Sequence, residues 1–112
     1  VVSNKPDEQV KSLCQLYFPS IPITVGQRAD VRLKPAPDSV LEAIRQLGCS
    51  VEDAVYIGDS EVDVQTAQNA HIPCISVLWG FRDQSQLLAA GADHFAETPA
   101  EMPGLLESFF VY

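Results

Sequence analysis

The chain has 112 residues, within the range of one domain, and its 46% hydrophobic and 20% charged residues match an ordinary soluble globular protein. With 15 Asp and Glu against 7 Lys and Arg, the formal charge is −8, which excludes nucleic acid and anionic membrane surfaces as natural partners. No apolar run reaches bilayer length, and the acidic balance repels an anionic substrate at long range, so any phosphate site needs local cations, backbone N–H groups or a metal.

In chain order, Val1 to Ser3 reads as the end of a strand. The opening residues lack the charged segment and apolar stretch of a signal peptide. Pro6-Asp7-Glu8 opens a helix whose Val10, Leu13, Cys14 and Tyr17 fall on one face at i, i+3, i+4 and i+7. Ile21 to Val25 reads as a short strand, and Arg28 to Pro37 as a loop stiffened by Pro35 and Pro37. The next helix places Val40, Ile44 and Leu47 on one side and stops at Gly48. Ala54-Val55-Tyr56-Ile57, ending at Gly58, reads as a buried parallel strand. Ser60 caps a helix carrying Val64 and Ala67 that ends before Pro73. Cys74 to Leu78 is a further buried strand, Gln84 to Ala90 a short helix stopped by Gly91, and His94-Phe95-Ala96 a small edge strand. Thr98-Pro99-Ala100-Glu101 forms a capping box that opens the last helix. Alternating strands and helices predict an α/β fold with a Rossmann-like, three-layer core and a mostly parallel sheet. Cys14, Cys49 and Cys74, odd in number and without C-x-x-C spacing, read as small buried hydrophobes in a reducing cytoplasm.

Three segments bear residues suited to chemistry. Gly58-Asp59-Ser60-Glu61-Val62-Asp63 lies where a buried strand yields to a helix, the position at which open α/β sheets bind ligands. Asp59 and Asp63 together suit a hard divalent cation such as Mg2+. The plainer reading, that acids favour a helix N-terminus, explains Asp63 well but does not explain an acid at the strand end behind a glycine. Lys34, in Lys34-Pro35-Ala36-Pro37, is either a solvated surface charge or a fixed cation for phosphate. Ser3, at a strand end with Asn4 beside it, is either a plain turn or an anion-binding hydroxyl next to free backbone N–H groups.

Taken in order, Ser3, Lys34 in K-P-x-P, and Asp59 and Asp63 in G-D-S-x-x-D resemble the second, third and fourth motifs of the haloacid dehalogenase superfamily. Val2-Ser3-Asn4-Lys5-Pro6 and Ala90-Gly91-Ala92-Asp93-His94 look like its phosphoglycolate phosphatase branch. The resemblance implies a Mg2+-dependent phosphatase that hydrolyses a small phosphomonoester through an aspartyl-phosphate. It implies that Ser3, the Asn4 N–H and Lys34 hold the phosphoryl group, while Asp59 ligates Mg2+ and Asp63 ligates it or orients its waters. The expected partner is a small phosphorylated metabolite.

The family's first motif, D-x-D-x-T/V, has no counterpart ahead of Ser3, and neither does the cap domain that selects substrate. Residues 1–112 are therefore expected to be a partial core domain, spanning the second to fourth motifs and lacking the nucleophile strand. The resemblance puts that strand centrally, between the Ser3 strand and the Gly58 strand, so its loss is expected to split the core and leave two strand edges exposed. The chain is then a fragment, or works with a segment supplied from elsewhere, whether the missing N-terminal part or another copy of the chain. A pyrophosphatase, a sugar-phosphate phosphatase or mutase, and a non-catalytic metal-, phosphate- or partner-binding module are alternatives. A response-regulator receiver is excluded by the order of its acids and lysine.

Overall fold

Pro6 fixes the turn into the first helix, and everything before it is extended. The computed structural model describes residues 1–110. Strand β1 (Val2–Pro6) leads into helix α1 (Asp7–Tyr17), which returns the chain to β2 (Val25–Gln27), parallel to β1. Helix α2 (Asp38–Leu47) ends at Gly48, whose φ of 73° is the left-handed conformation that glycine supplies without strain. Three further strands, β3 (Tyr56–Gly58), β4 (Cys74–Val77) and β5 (Phe95–Ala96), pair in parallel in that order. Helix α3 (Glu61–Asn69) joins β3 to β4, and α4 (Gln84–Ala89) joins β4 to β5. Helix α5 (Met102–Phe110) follows.

Apolar residues divide between the two faces of the second sheet. Val40 and Ile44 of α2, Val64 and Ala67 of α3, and Leu87 of α4 pack with Tyr56 and Cys74 on one face. Ile75, Val77 and Ala96 pack on the other, against Met102, Leu105 and Phe109 of α5. This makes helix, sheet and helix layers, as the alternating pattern requires.

Among the described residues the sheet is in two pieces, β1–β2 and β3–β4–β5, with no ladder between β1 and β3. A largely apolar cleft of about 670 Å3 separates them, lined by Val1, Val2, Ile57, Leu47 and Leu106 among others. The cleft accounts for two departures from the sequence expectation. Leu47 stays 62% exposed although it lies on the predicted apolar side of α2, and Ile57 stays 45% exposed although it lies in a predicted buried strand, because both border this open space.

Other departures are local. The strand expected at Ile21–Val25 forms instead at Val25–Gln27. Pro22 has no N–H to give a ladder, and pairing starts where Val25 N–H reaches Val1 C=O at 2.8 Å. The strand expected at Ala54–Ile57 starts at Tyr56, because Val51–Asp53 forms a turn of 3-10 helix that takes up the Ala54 N–H. On α1, Val10 and Cys14 are buried as expected, but Leu13 and Tyr17 are 45% and 66% exposed. The helix packs on β1 and β2 along a narrower stripe than its apolar residues span.

Gly26 permits a close approach between helix α1 and strand β2. Its N–H donates to Asp7 Oδ1 at 2.9 Å, and a Cβ there would stand 2.5 Å from the Asp7 Cα. Backbone cannot yield as a flexible side chain can. Gly26→Ala is expected to destabilise the chain by about 1–3 kcal/mol, measured as a lower urea midpoint at an unchanged slope.

Candidate active site

The site forms where β3 ends. Ser60 caps α3 in a reciprocal pair: its Oγ accepts the Asp63 N–H at 3.3 Å, and Asp63 Oδ2 accepts the Ser60 N–H at 3.3 Å. Asp63 Oδ2 also accepts the Ser60 hydroxyl at 3.1 Å and the Asp59 N–H at 3.1 Å. Gly58 makes this possible, since a Cβ at that position would overlap the Asp63 side chain. The other oxygen, Oδ1, faces away from the cap. It accepts the Lys34 Nζ–H at 2.9 Å and the Tyr56 hydroxyl at 2.8 Å.

Lys34 reaches Asp63 from the first half of the molecule along an anchored loop. Its backbone N–H donates to Asn4 Oδ1 at 2.8 Å, and Asn4 Nδ2 donates back to the Lys34 carbonyl at 3.4 Å. Asn69 of α3 donates to the Pro35 carbonyl at 2.8 Å. The side chains of Lys34 and Asp63 retain 15% and 8% of their accessibility, so this is a largely desolvated ion pair.

Asp59 differs from Asp63. It is half-buried, gives its N–H to Asp63, and its own carboxylate has no hydrogen-bond partner among the described residues. It lies against Gly80, just beyond β4, where a Cβ would come within 2.5 Å of Asp59 Oδ2. Lys34, Asp59, Asp63, Tyr56, Trp79 and Gly80 line one pocket of about 360 Å3 at the carboxyl ends of β3 and β4. No cluster of three or more His, Cys, Asp or Glu side chains gathers among the described residues.

The structure thus brings together Lys34, Asp59 and Asp63 of the sequence-derived site. Ser3 does not line the pocket; its Oγ accepts the Lys5 N–H at 3.1 Å. Asn4, singled out for its backbone N–H, also contributes its side chain, as the clamp on the lysine loop. Sequence reasoning missed Tyr56, Gly80 and Trp79. A tyrosine in an apolar strand run is a usable signal, because a buried phenol requires a polar partner. Gly80 is a second glycine beyond a strand end, as Gly58 is at the first.

Burial works to raise the Asp63 pKa, but the hydrogen bond and charge of Lys34, with the Tyr56 and Asp59 donors, outweigh it and hold the carboxyl below its usual value. Burial first, and then the Asp63 charge, push the Tyr56 phenol well above its usual value.

Comparison with known proteins gives a consistent picture. The family model described as haloacid dehalogenase-like hydrolase matches residues 1–77. A phosphoglycolate phosphatase of Xanthomonas campestris pv. campestris is 30% identical over 91% of this chain and 48% of its own length. A provisionally assigned pyrophosphatase of Caldanaerobacter subterraneus is 31% identical over 87% of the chain and 45% of its own length. Among solved structures, a provisionally assigned phosphoglycolate phosphatase from Lactobacillus delbrueckii superposes with a TM-score of 0.86 at 41% identity, covering 97% of this chain and 45% of that one. The chain spans about half the length of the curated relatives it matches.

The lowered Asp63 pKa has a defined sign. The folded carboxyl binds its proton less readily than the unfolded one, so its contribution is complete above the unfolded value of about 3.9 and is lost as pH falls through the folded value. Urea unfolding at stepped pH is expected to show an acid loss of stability that is smaller in Asp63→Asn, a variant less stable than the parent at neutral pH.

Proposed function

The chain belongs to the haloacid dehalogenase-like hydrolases, and on that premise we propose that the whole protein is a Mg2+-dependent phosphatase acting on a small phosphomonoester such as phosphoglycolate. In this reading residues 1–112 are the part of its core domain that holds phosphate and metal. The carrying observation is the pairing, at one strand end, of a fixed ammonium, Lys34, with a carboxylate free of protein donors, Asp59. Lys34 lines the pocket, where it can pair with a phosphoryl oxygen. Ser3 Oγ accepts the Lys5 N–H and keeps its own O–H to donate to the phosphoryl group, with the Asn4 N–H beside it.

The donor set fits a hard divalent cation in part. Asp59 has open lone pairs, whereas both Asp63 oxygens already accept protein donors, so Asp63 suits outer-sphere contact through water. Mg2+ held there would offset charge on the phosphoryl group. The remaining steps need an aspartate that this chain does not carry. Its carboxylate would attack phosphorus as the ester P–O bond breaks and a second aspartate of the same missing motif protonates the leaving alcohol; that aspartate would then take a proton from water as it hydrolyses the aspartyl-phosphate, releasing inorganic phosphate and the first carboxylate. In this reading the strand bearing that aspartate fills the cleft between β1 and β3. A strand there would have apolar neighbours on both faces, from α2 and from α5, and its carboxyl end would meet Lys34. The upstream segment is accordingly the partner we assign to this cleft. The unpaired state of all three cysteines supports a reducing, cytoplasmic setting. The similarity to a provisionally assigned pyrophosphatase favours, as second reading, attack on a phosphoanhydride by the same groups.

With Mg2+ and either p-nitrophenyl phosphate or phosphoglycolate, the 112-residue chain is expected to show no turnover and the whole protein to turn over. Asp59→Asn should cost the whole protein at least about a hundredfold in kcat. Turnover by the chain alone that disappears with Asp59→Asn would move the nucleophile into this chain. Calorimetry should find Mg2+ binding to the isolated chain weak. A low-micromolar dissociation constant lost in Asp59→Asn would contradict the partial donor set.

A further inference from the structure

Tyr56 lies outside the three sequence motifs, lines the pocket and hydrogen-bonds two of their side chains, Lys34 and Asp63. The residue is 9% exposed, and it packs in the core with Val40, Ile44 and Val64. Its hydroxyl donates to Asp63 Oδ1 at 2.8 Å and accepts a Lys34 Nζ–H at 3.3 Å, while Lys34 Nζ donates to the same Oδ1 at 2.9 Å. The three atoms close a triangle.

We propose that Tyr56 is a positioning residue of the phosphate site, aiming the Lys34 ammonium into the pocket. An ammonium has three N–H donors on a flexible stem. In this geometry one is held by the carboxylate and one by the phenol, which leaves the third with a single direction. With the carboxylate alone, the ammonium could swing about the Nζ–Oδ1 contact and keep its ion pair while losing its aim. The phenol supplies the second point, and a rigid ring gripped by α2 and α3 cannot follow the lysine if it moves. Packing on the helix side of β3 is thereby converted into the orientation of a charge. A hydroxyl that merely needed satisfying could have bonded a backbone carbonyl; this one is shared by the only buried ion pair among the described residues whose partners come from the two separate sheets' halves.

The inference rests on the phosphatase reading, and the test separates the two. In the whole protein, with p-nitrophenyl phosphate, Tyr56→Phe keeps the ring and removes only the hydroxyl. The expected result is a fall in kcat of about ten- to a hundredfold, the scale of a displacement of up to about 1 Å, with KM within about threefold. A cycle with Lys34→Arg tests the route. If Tyr56 acts through the ammonium, the double variant is no slower than Lys34→Arg alone. An unchanged kcat in Tyr56→Phe, or losses that multiply in the double variant, overturns the proposal, and a fall in thermal midpoint without a fall in kcat assigns the hydroxyl to stability alone. A wild-type protein that turns over no phosphate ester sinks the proposed function and this role with it, an outcome distinct from an active wild type matched by its phenylalanine variant.

Discussion

A buried ion pair joins the two halves of this molecule. Lys34 arrives from the loop after β2, which β1 holds through Asn4, and Asp63 stands on α3 beyond β3. Removing two charges from water is costly, and the pair is tolerable only because nearly every lone pair and donor is matched. Asp63 meets that condition with five donors: the Lys34 ammonium, the Tyr56 and Ser60 hydroxyls, and the Asp59 and Ser60 N–H groups. Loss of either charge would leave the other buried and uncompensated, so the sheet halves and the pocket wall depend on the same contact.

The double engagement of Asp63 resolves a choice that residue types alone left open. An acid at the third position of a helix is well explained by capping, and an acid in a strand-end motif by ligand chemistry. Here one oxygen belongs to the cap, and the other accepts the Lys34 ammonium and the Tyr56 hydroxyl at the pocket wall. Asp59 lies one residue beyond the strand and outside the cap, so its carboxylate remains available to the pocket. The spacing of four residues thus sorts two chemically identical groups into different tasks, one neutralised by protein donors and one open.

How far the sequence could be read follows from the range of the interactions involved. Gly58, Asp59, Ser60 and Asp63 were legible because strand end, tight turn and cap are all local. The helices from Asp38 and Glu61 were legible for the same reason. Lys34 carried little signal by itself, since its partner lies 29 residues away, and only the order of motifs raised it above a surface lysine. Tyr56 read as core because an aromatic residue in an apolar run usually is core, and its ring does pack there; only the hydroxyl's partners reveal the rest. Ile21–Val25 had strand-like composition, but Pro22 moved the pairing to Val25–Gln27, a matter of hydrogen-bond supply that hydropathy does not register. Leu47 and Ile57 show a different gap: periodicity says which face is apolar, not whether anything covers it.

That uncovered face bears on chemistry as well as stability. The cleft is flanked on one side by β1, whose Asn4 positions the lysine loop, and on the other by β3, whose end carries Gly58 and then Asp59. A strand between them would add ladder hydrogen bonds to both edges and cover Leu47, Ile57 and Leu106. It would also fix the distance between the two sheet edges, which the polar contacts of the lysine loop and the packing of α2 hold without any ladder between them. A group at the carboxyl end of such a strand would face Lys34 and Asp59 together. Completing the core and assembling the site would then be one event, with the apolar contacts along the strand supplying the free energy that holds a second anion close to Asp59 and Asp63. A chain with charge −8 has no long-range attraction to offer that anion. Among the described residues Lys34 is the one cation lining the pocket, so in the proposed reading its aim would decide how well the arrangement tolerates a phosphoryl group.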